Sequence, residues 1–129
     1  MNKPLALIIE DDFDLSEIFS AALQKDGFEI EVVRDGKKAI DRLAGIAPAI
    51  IVLDLHLPHI TGATVLQKIH ATEHFAKTAV IITTADAQQA DRLLGSADLI
   101  LLKPVSVDQL RDLAKRLLLR WQSTDAAKP

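Results

Sequence analysis

Five short apolar runs recur along the chain: Leu5–Ile9, Ile30–Val33, Ile50–Leu53, Val80–Ile82 and Leu99–Leu102. Four are almost unbroken Ile, Val and Leu, the pattern of strands covered on both faces. The second differs. Glu29-Ile30-Glu31-Val32 alternates polar and apolar, which suits an edge strand with one face partly wet. Between the runs, apolar residues return at helical spacing. Leu15, Ile18, Phe19, Ala22 and Leu23 form a first stripe, with Gly27 where a helix stop is expected. Ala39, Ile40, Leu43 and Ala44 form the second, and Val65, Leu66 and Ile69 the third. Ala90, Leu93 and Leu94 form a short fourth. The last and longest stripe runs from Val107 through Leu110, Leu113, Ala114, Leu117 and Leu118 to Trp121, and opens on the capping-box pattern Ser106-Val107-Asp108-Gln109.

Strand and helix in alternation predict an α/β fold, a parallel sheet with helices on both faces. Right-handed crossovers leave few topologies. The doubly wound five-stranded order 2-1-3-4-5 places the second strand at an edge, as its alternation asks. One domain is expected over residues 1–122, followed by a flexible polar tail over 123–129. There is no internal repeat.

Composition narrows the class. The chain has 129 residues, of which 26% are charged, and no cysteine, so disulfides and thiolate metal sites are excluded. No apolar run reaches the roughly 18–20 residues of a membrane span. Only five apolar residues separate Pro4 from Glu10, too few for a signal peptide. A cytoplasmic location, without membrane insertion, is the expectation. The net charge of −3 argues against sequence-independent binding to nucleic acid. Arg111, Lys115, Arg116 and Arg120 read as a solvated helix face.

In such sheets, ligands bind beyond the carboxyl ends of the strands, where strand order reverses. The first strand ends in Glu10-Asp11-Asp12, the third in Asp54, the fourth in Thr83-Thr84 and the fifth in Lys103-Pro104. Converging carboxylates repel one another unless a cation neutralises them. Hard oxygen ligands without Cys or His favour Mg²⁺. A lysine and a threonine hydroxyl supply the charge and the donor that a phosphoryl group needs. This set suffices for phosphoryl transfer to a carboxylate. Each piece alone is weak: Asp12 or Asp14 could simply cap the first helix, with Glu17 completing a box. The combination in order carries the signal.

From these residues the chain resembles the receiver domain of two-component response regulators, of the stand-alone single-domain type, to about Trp121. The resemblance rests on Asp11-Asp12, the stretch Asp54-Leu55-His56-Leu57-Pro58-His59-Ile60-Thr61-Gly62, Thr84-Ala85 and Lys103-Pro104. It implies a flavodoxin-like three-layer sandwich with five helices. It implies that Asp54 accepts a phosphoryl group from a histidine kinase or phosphotransfer protein. Asp12 would bind Mg²⁺ directly, Asp11 mostly through water, and Asp54 and the backbone carbonyl of His56 would complete the ligands. Thr84 and Lys103 would each hold a phosphoryl oxygen. A cis Lys103–Pro104 peptide is also implied. The chain would be no enzyme beyond its own Mg²⁺-dependent phosphorylation and dephosphorylation.

Two positions and one segment depart from the family's pattern. Ile100 stands where a switch aromatic is usual, Val105 follows Lys-Pro where an aromatic is common, and the stretch from Thr84 to Lys103 is short, which predicts a trimmed fourth helix. His56 and Asp86, two residues after Asp54 and Thr84, are candidates for tuning phosphoryl lifetime, or else exposed loop residues.

Other readings remain open. The pair His70 and His74, with His56 and His59, invites zinc but lacks a third helix ligand. An Asp-nucleophile phosphatase would want a carboxylate where His56 stands. A receiver-like interaction module that does not depend on phosphate is the third alternative. No output domain is expected after Trp121, so output through contact with another protein is the expectation. Leu119 offers apolar surface for such a partner or a homodimer.

Overall fold

The computed structural model describes residues 3–126, with side chains described through Gln122. The strands are β1 (Leu5–Ile9), β2 (Glu29–Val33), β3 (Ile50–Asp54), β4 (Ala79–Thr84) and β5 (Leu99–Leu102). The helices are α1 (Phe13–Lys25), α2 (Gly36–Leu43), α3 (Gly62–His70), α4 (Ala87–Arg92) and α5 (Val107–Ala126), with a 3-10 turn at Glu73–Phe75. All strand pairs are parallel and the order is β2-β1-β3-β4-β5. The fold is therefore the doubly wound one expected, and β2, with its alternating pattern, lies at an edge.

The pleat sends alternate residues to opposite faces, and two cores result. Ala6, Ile8, Ile50, Val52 and Ile81 pack against Phe19 and Leu23 of α1 and Leu110, Ala114 and Leu117 of α5. Leu7, Ile9, Ile51, Leu53, Val80 and Ile82 pack against Ala39 and Leu43 of α2 and Val65, Leu66 and Ile69 of α3. Both faces of β1, β3 and β4 are covered, which is why their sequences are continuously apolar.

Each helix begins just past the carboxyl end of a strand, and each first turn is capped by a side chain. Asp12, Asp35, Thr61 and Asp86 accept from Leu15, Lys38, Thr64 and Gln88 backbone N–H groups, and Ser106 Oγ accepts from that of Gln109 at 3.2 Å. Such caps satisfy backbone donors that the helix leaves without partners. At the far end of α1, Gly27 adopts φ 95°, the conformation expected of a helix stop. Nearby, Asp26 is almost fully buried and accepts a bidentate pair from Arg111 at 2.9 and 3.0 Å, with Lys115 at 3.5 Å, so α1 is tied to α5.

Three details differ from the sequence expectation. Ile18 is about half exposed, and Ser16 takes the buried place on α1 because its hydroxyl finds partners inside. Leu94 lies 72% exposed beyond the end of α4, which stops at Arg92. The tail expected from Ser123 is helical through Ala126, since no Gly or Pro interrupts α5 before Pro129. The remainder of that expected tail, 127–129, lies outside the described residues.

Candidate active site

The register aligns the site before any side chain is considered. Ile9 pairs with Leu53, so the residues that follow, Glu10 just past β1 and Asp54 at the end of β3, stand level at the carboxyl end of the central pair. Asp54 in turn pairs with Thr83 on β4. Oxygens of Glu10, Asp11 and Asp54 all lie within 4.8 Å of one another. Glu10 and Asp54 are buried, at 1% and 2% exposure, whereas Asp11 is exposed. Lys103, immediately past β5, reaches across the end of β4. Its Nζ donates to Glu10 Oε1 and Asp54 Oδ2, each at 3.1 Å. The Lys103–Pro104 peptide is cis, as the resemblance implied.

The acids brought together here are not quite the expected set. Asp12 does not join the cluster: its carboxylate accepts from the Leu15 N–H at 2.9 Å and caps α1. Glu10 takes the inner place, and its Oε2 accepts from the Asp12 N–H at 3.2 Å. The reason is register. β1 ends at Ile9, so the residue level with Asp54 is the first past the strand, not the second or third. The alternative weighed from sequence, Asp12 as a helix cap, is what the structure contains.

Asp54 Oδ1 accepts from the His56 N–H at 3.0 Å, which fixes the carboxylate plane. Gly62, opening α3, packs against the same strand end. A Cβ there would lie 2.4 Å from the Asp54 carbonyl oxygen and 2.5 Å from Leu55 Cα, so only glycine fits. Thr84 is fully buried and its Oγ1 accepts from the Asp86 N–H at 3.0 Å. The imidazole of His56 and the carboxylate of Asp86 are exposed, and Asp86 is occupied in capping α4 through Gln88 and Gln89. Ile100 sits half-buried on β5 opposite Ile82, packed with the α2–α3 core. The sequence places Thr83 with Thr84 at the end of the fourth strand, but gives only Thr84 a role. It is wholly buried beside Asp54, and its hydroxyl has no hydrogen-bond partner among the described residues.

Electrostatics follow from the crowding. Burial, with the Asp54 carboxylate alongside, pushes the Glu10 carboxyl up to about 7. Burial disfavours the Lys103 charge, yet its hydrogen bonds to Glu10 and Asp54 hold it above its ordinary value. A hard divalent cation suits this donor set: carboxylate oxygens converge there, and their repulsion is only partly met by one ammonium.

The profile of the response regulator receiver domain matches residues 6–115. The chain belongs to the response regulator receiver domain family. Among curated proteins, this receiver domain is 34% identical over 120 residues to the DNA-binding dual master transcriptional regulator RpaA of Synechocystis sp., a match covering 91% of this chain and 50% of that protein. It is 29% identical over 125 residues to the response regulator MprA of Mycobacterium bovis, covering 95% and 54%. The chain thus spans about half the length of the curated relatives it matches. Among solved structures, it resembles the signal receiver domain of a putative Luxo repressor protein from Vibrio parahaemolyticus, with a TM-score of 0.89, 29% identity and 99% of each chain covered. It also resembles the receiver domain of a sensor histidine kinase from Pseudomonas aeruginosa, solved with magnesium in its active site cleft, with a TM-score of 0.78 and 28% identity over 93% of this chain and 98% of that one. No helix among the described residues is long and apolar enough to cross a membrane.

Proposed function

We propose that this receiver domain is a phosphoacceptor in a two-component or phosphorelay system, with Asp54 as the acceptor and a histidine kinase or phosphotransfer protein as donor. The observation that carries the reading is Lys103 Nζ held between Glu10 and Asp54 at the meeting point of three carboxylates. An Asp54 oxygen attacks phosphorus, the P–N bond of a phosphohistidine breaks, and the imidazole leaves with the bonding pair. Asp11 and Asp54, with Glu10 behind them, would hold Mg²⁺, and the carbonyl of His56 would be the further protein ligand. Bound there, Mg²⁺ neutralises charge on the carboxylates and the incoming phosphoryl oxygens. The ammonium of Lys103 is placed to follow the charge from carboxylate to phosphoryl oxygen. The Thr84 hydroxyl, at the end of β4, would donate to a second phosphoryl oxygen. The output is contact with a downstream protein, in which Ile100 replaces the usual aromatic.

Acetyl phosphate with Mg²⁺ tests the reading. The intact protein should gain the mass of one phosphoryl group, and Asp54→Asn should gain none. Absence of any gain would favour an interaction module that works without phosphate. Because Asp86 is held as a cap, His56 is the side chain left to orient attacking water. His56→Ala should change the half-life of phospho-Asp54, and an unchanged decay would remove His56 from that role.

A further inference from the structure

We infer that Arg34 is a positioning residue for the cation site, stapling the acid-bearing β1–α1 turn to the end of β2. The inference rests on the Mg²⁺ reading of that site. The turn consists of Glu10, Asp11 and Asp12, between the last residue of β1 and the first of α1. Asp11 is the exposed acid of the cluster with Glu10 and Asp54, so its carboxylate is only as well placed as the backbone on either side. On the strand side, Glu10 N–H donates to Val33 O at 3.0 Å, which ties the turn to β2 one residue before Arg34. On the helix side, everything depends on the first turn of α1.

Arg34 grips that first turn in three ways. Its guanidinium donates to Ser16 Oγ at 2.9 Å, lies 4.7 Å from the centre of the Phe13 ring, and stands 3.7 Å from the Glu17 carboxylate. Ser16 is wholly buried, and its own hydroxyl donates to the Phe13 carbonyl at 2.7 Å. One side chain just past β2 therefore meets three residues of the helix turn that begins directly after the acids. Phe13 is otherwise 62% exposed, so the guanidinium above its ring is what defines its place. Arg34 Nε is buried and has no hydrogen-bond partner among the described residues, while the side chain as a whole stays 40% exposed, so its fixed contacts are those made to α1. Asp12, which caps the same turn, passes the restraint back to Glu10 through its N–H.

Positioning and simple charge predict opposite signs. Arg34 is a cation near an acidic pocket, so by Coulomb repulsion alone its removal should tighten Mg²⁺ binding. If its role is to hold the turn, removal should weaken binding by about tenfold, the lower end of what outer partners of metal ligands contribute. Calorimetric titration of Mg²⁺ into the whole chain separates the two. Arg34→Met, which keeps the stem and loses the charge, should bind Mg²⁺ more weakly than wild type. Arg34→Lys, which keeps the charge and loses the planar fork, should also bind more weakly. Phe13→Leu, a surface change that leaves the fold intact, should weaken binding in the same direction by a smaller factor. Amide exchange over Phe13–Glu17 should quicken in Arg34→Met while exchange in β3 and β4 stays slow. Unchanged or tighter Mg²⁺ binding in Arg34→Met and Phe13→Leu overturns the inference. If the wild-type chain itself binds no Mg²⁺ and accepts no phosphoryl group, it is the functional reading that fails.

Discussion

At the scale of single residues, the carboxylate site is a balance of like charges with one ammonium among them. Glu10 carries the strain. Its folded-state carboxyl titrates near 7, above the ordinary range, so the folded protein holds that proton more tightly than the unfolded chain does. Its contribution to stability is fully present at acid pH and is lost as pH rises through about 7. Without Mg²⁺, the urea midpoint should therefore fall between pH 5 and pH 8, and Glu10→Gln should remove that component of the slope. Thr83 poses a simpler test. Its buried hydroxyl has no partner among the described residues, so Thr83→Val, close in shape, should be neutral or stabilising by up to about 1 kcal/mol in chemical denaturation. A loss of stability would mean that the hydroxyl is satisfied in solution. Most of this site could be read from residue types at strand ends: Asp54, Thr84 and Lys103 stand where the alternation of runs placed them. Asp12 lies outside the cluster because of register. Periodicity locates a strand end only to within a residue or two, and here one residue decides which acid faces Asp54 and which caps a helix.

At the scale of elements, strands deliver the chemistry and helix starts hold it in place. Gly62 shows the tolerance involved, since α3 begins against the backbone of Asp54 and Leu55. Gly62→Ala should cost about 2 kcal/mol from overpacking and should slow phosphorylation of Asp54 by displacing that strand end. The α1–α5 tie has its own pH signature. Hydrogen bonds from Arg111 hold the buried Asp26 carboxyl below its ordinary range despite the cost of burial. That contribution is present at neutral pH and lost as pH falls through the lowered folded value. Asp26→Ala should cost about 2 kcal/mol at pH 7, less than for a fully buried pair because Arg111 is partly exposed, and much less at pH 3. Apolar runs made the five strands legible because covered strands need unbroken Ile, Val and Leu. The helix stripes were less complete. Ser16 hides among α1's apolar residues because a hydroxyl can be buried when it bonds backbone and guanidinium, and no hydrophobic count registers that. The end of α5 was missed for a related reason: polar residues after Trp121 extend a helix as readily as they end one when no Gly or Pro intervenes.

At the scale of the whole molecule, five parallel strands bring residues from positions 10, 54 and 103 into one pocket, and nothing local in the chain connects them. The doubly wound order achieves this by placing β1 and β3 at the centre, where strand order reverses. On the proposed function, a signal leaving this site would travel without an aromatic at position 100. Ile100 is already packed half-buried against the α2–α3 core, so the large inward swing of a ring has no counterpart here. The central claim is that the phosphoryl group is carried by Asp54 as an acyl phosphate. Borohydride converts such a mixed anhydride to the alcohol, so the protein treated with acetyl phosphate and Mg²⁺, then reduced and digested, reports the acceptor by peptide mass. The account predicts homoserine at position 54 and unmodified aspartate at positions 11 and 12. Homoserine at any other aspartate, or none at position 54, would contradict it.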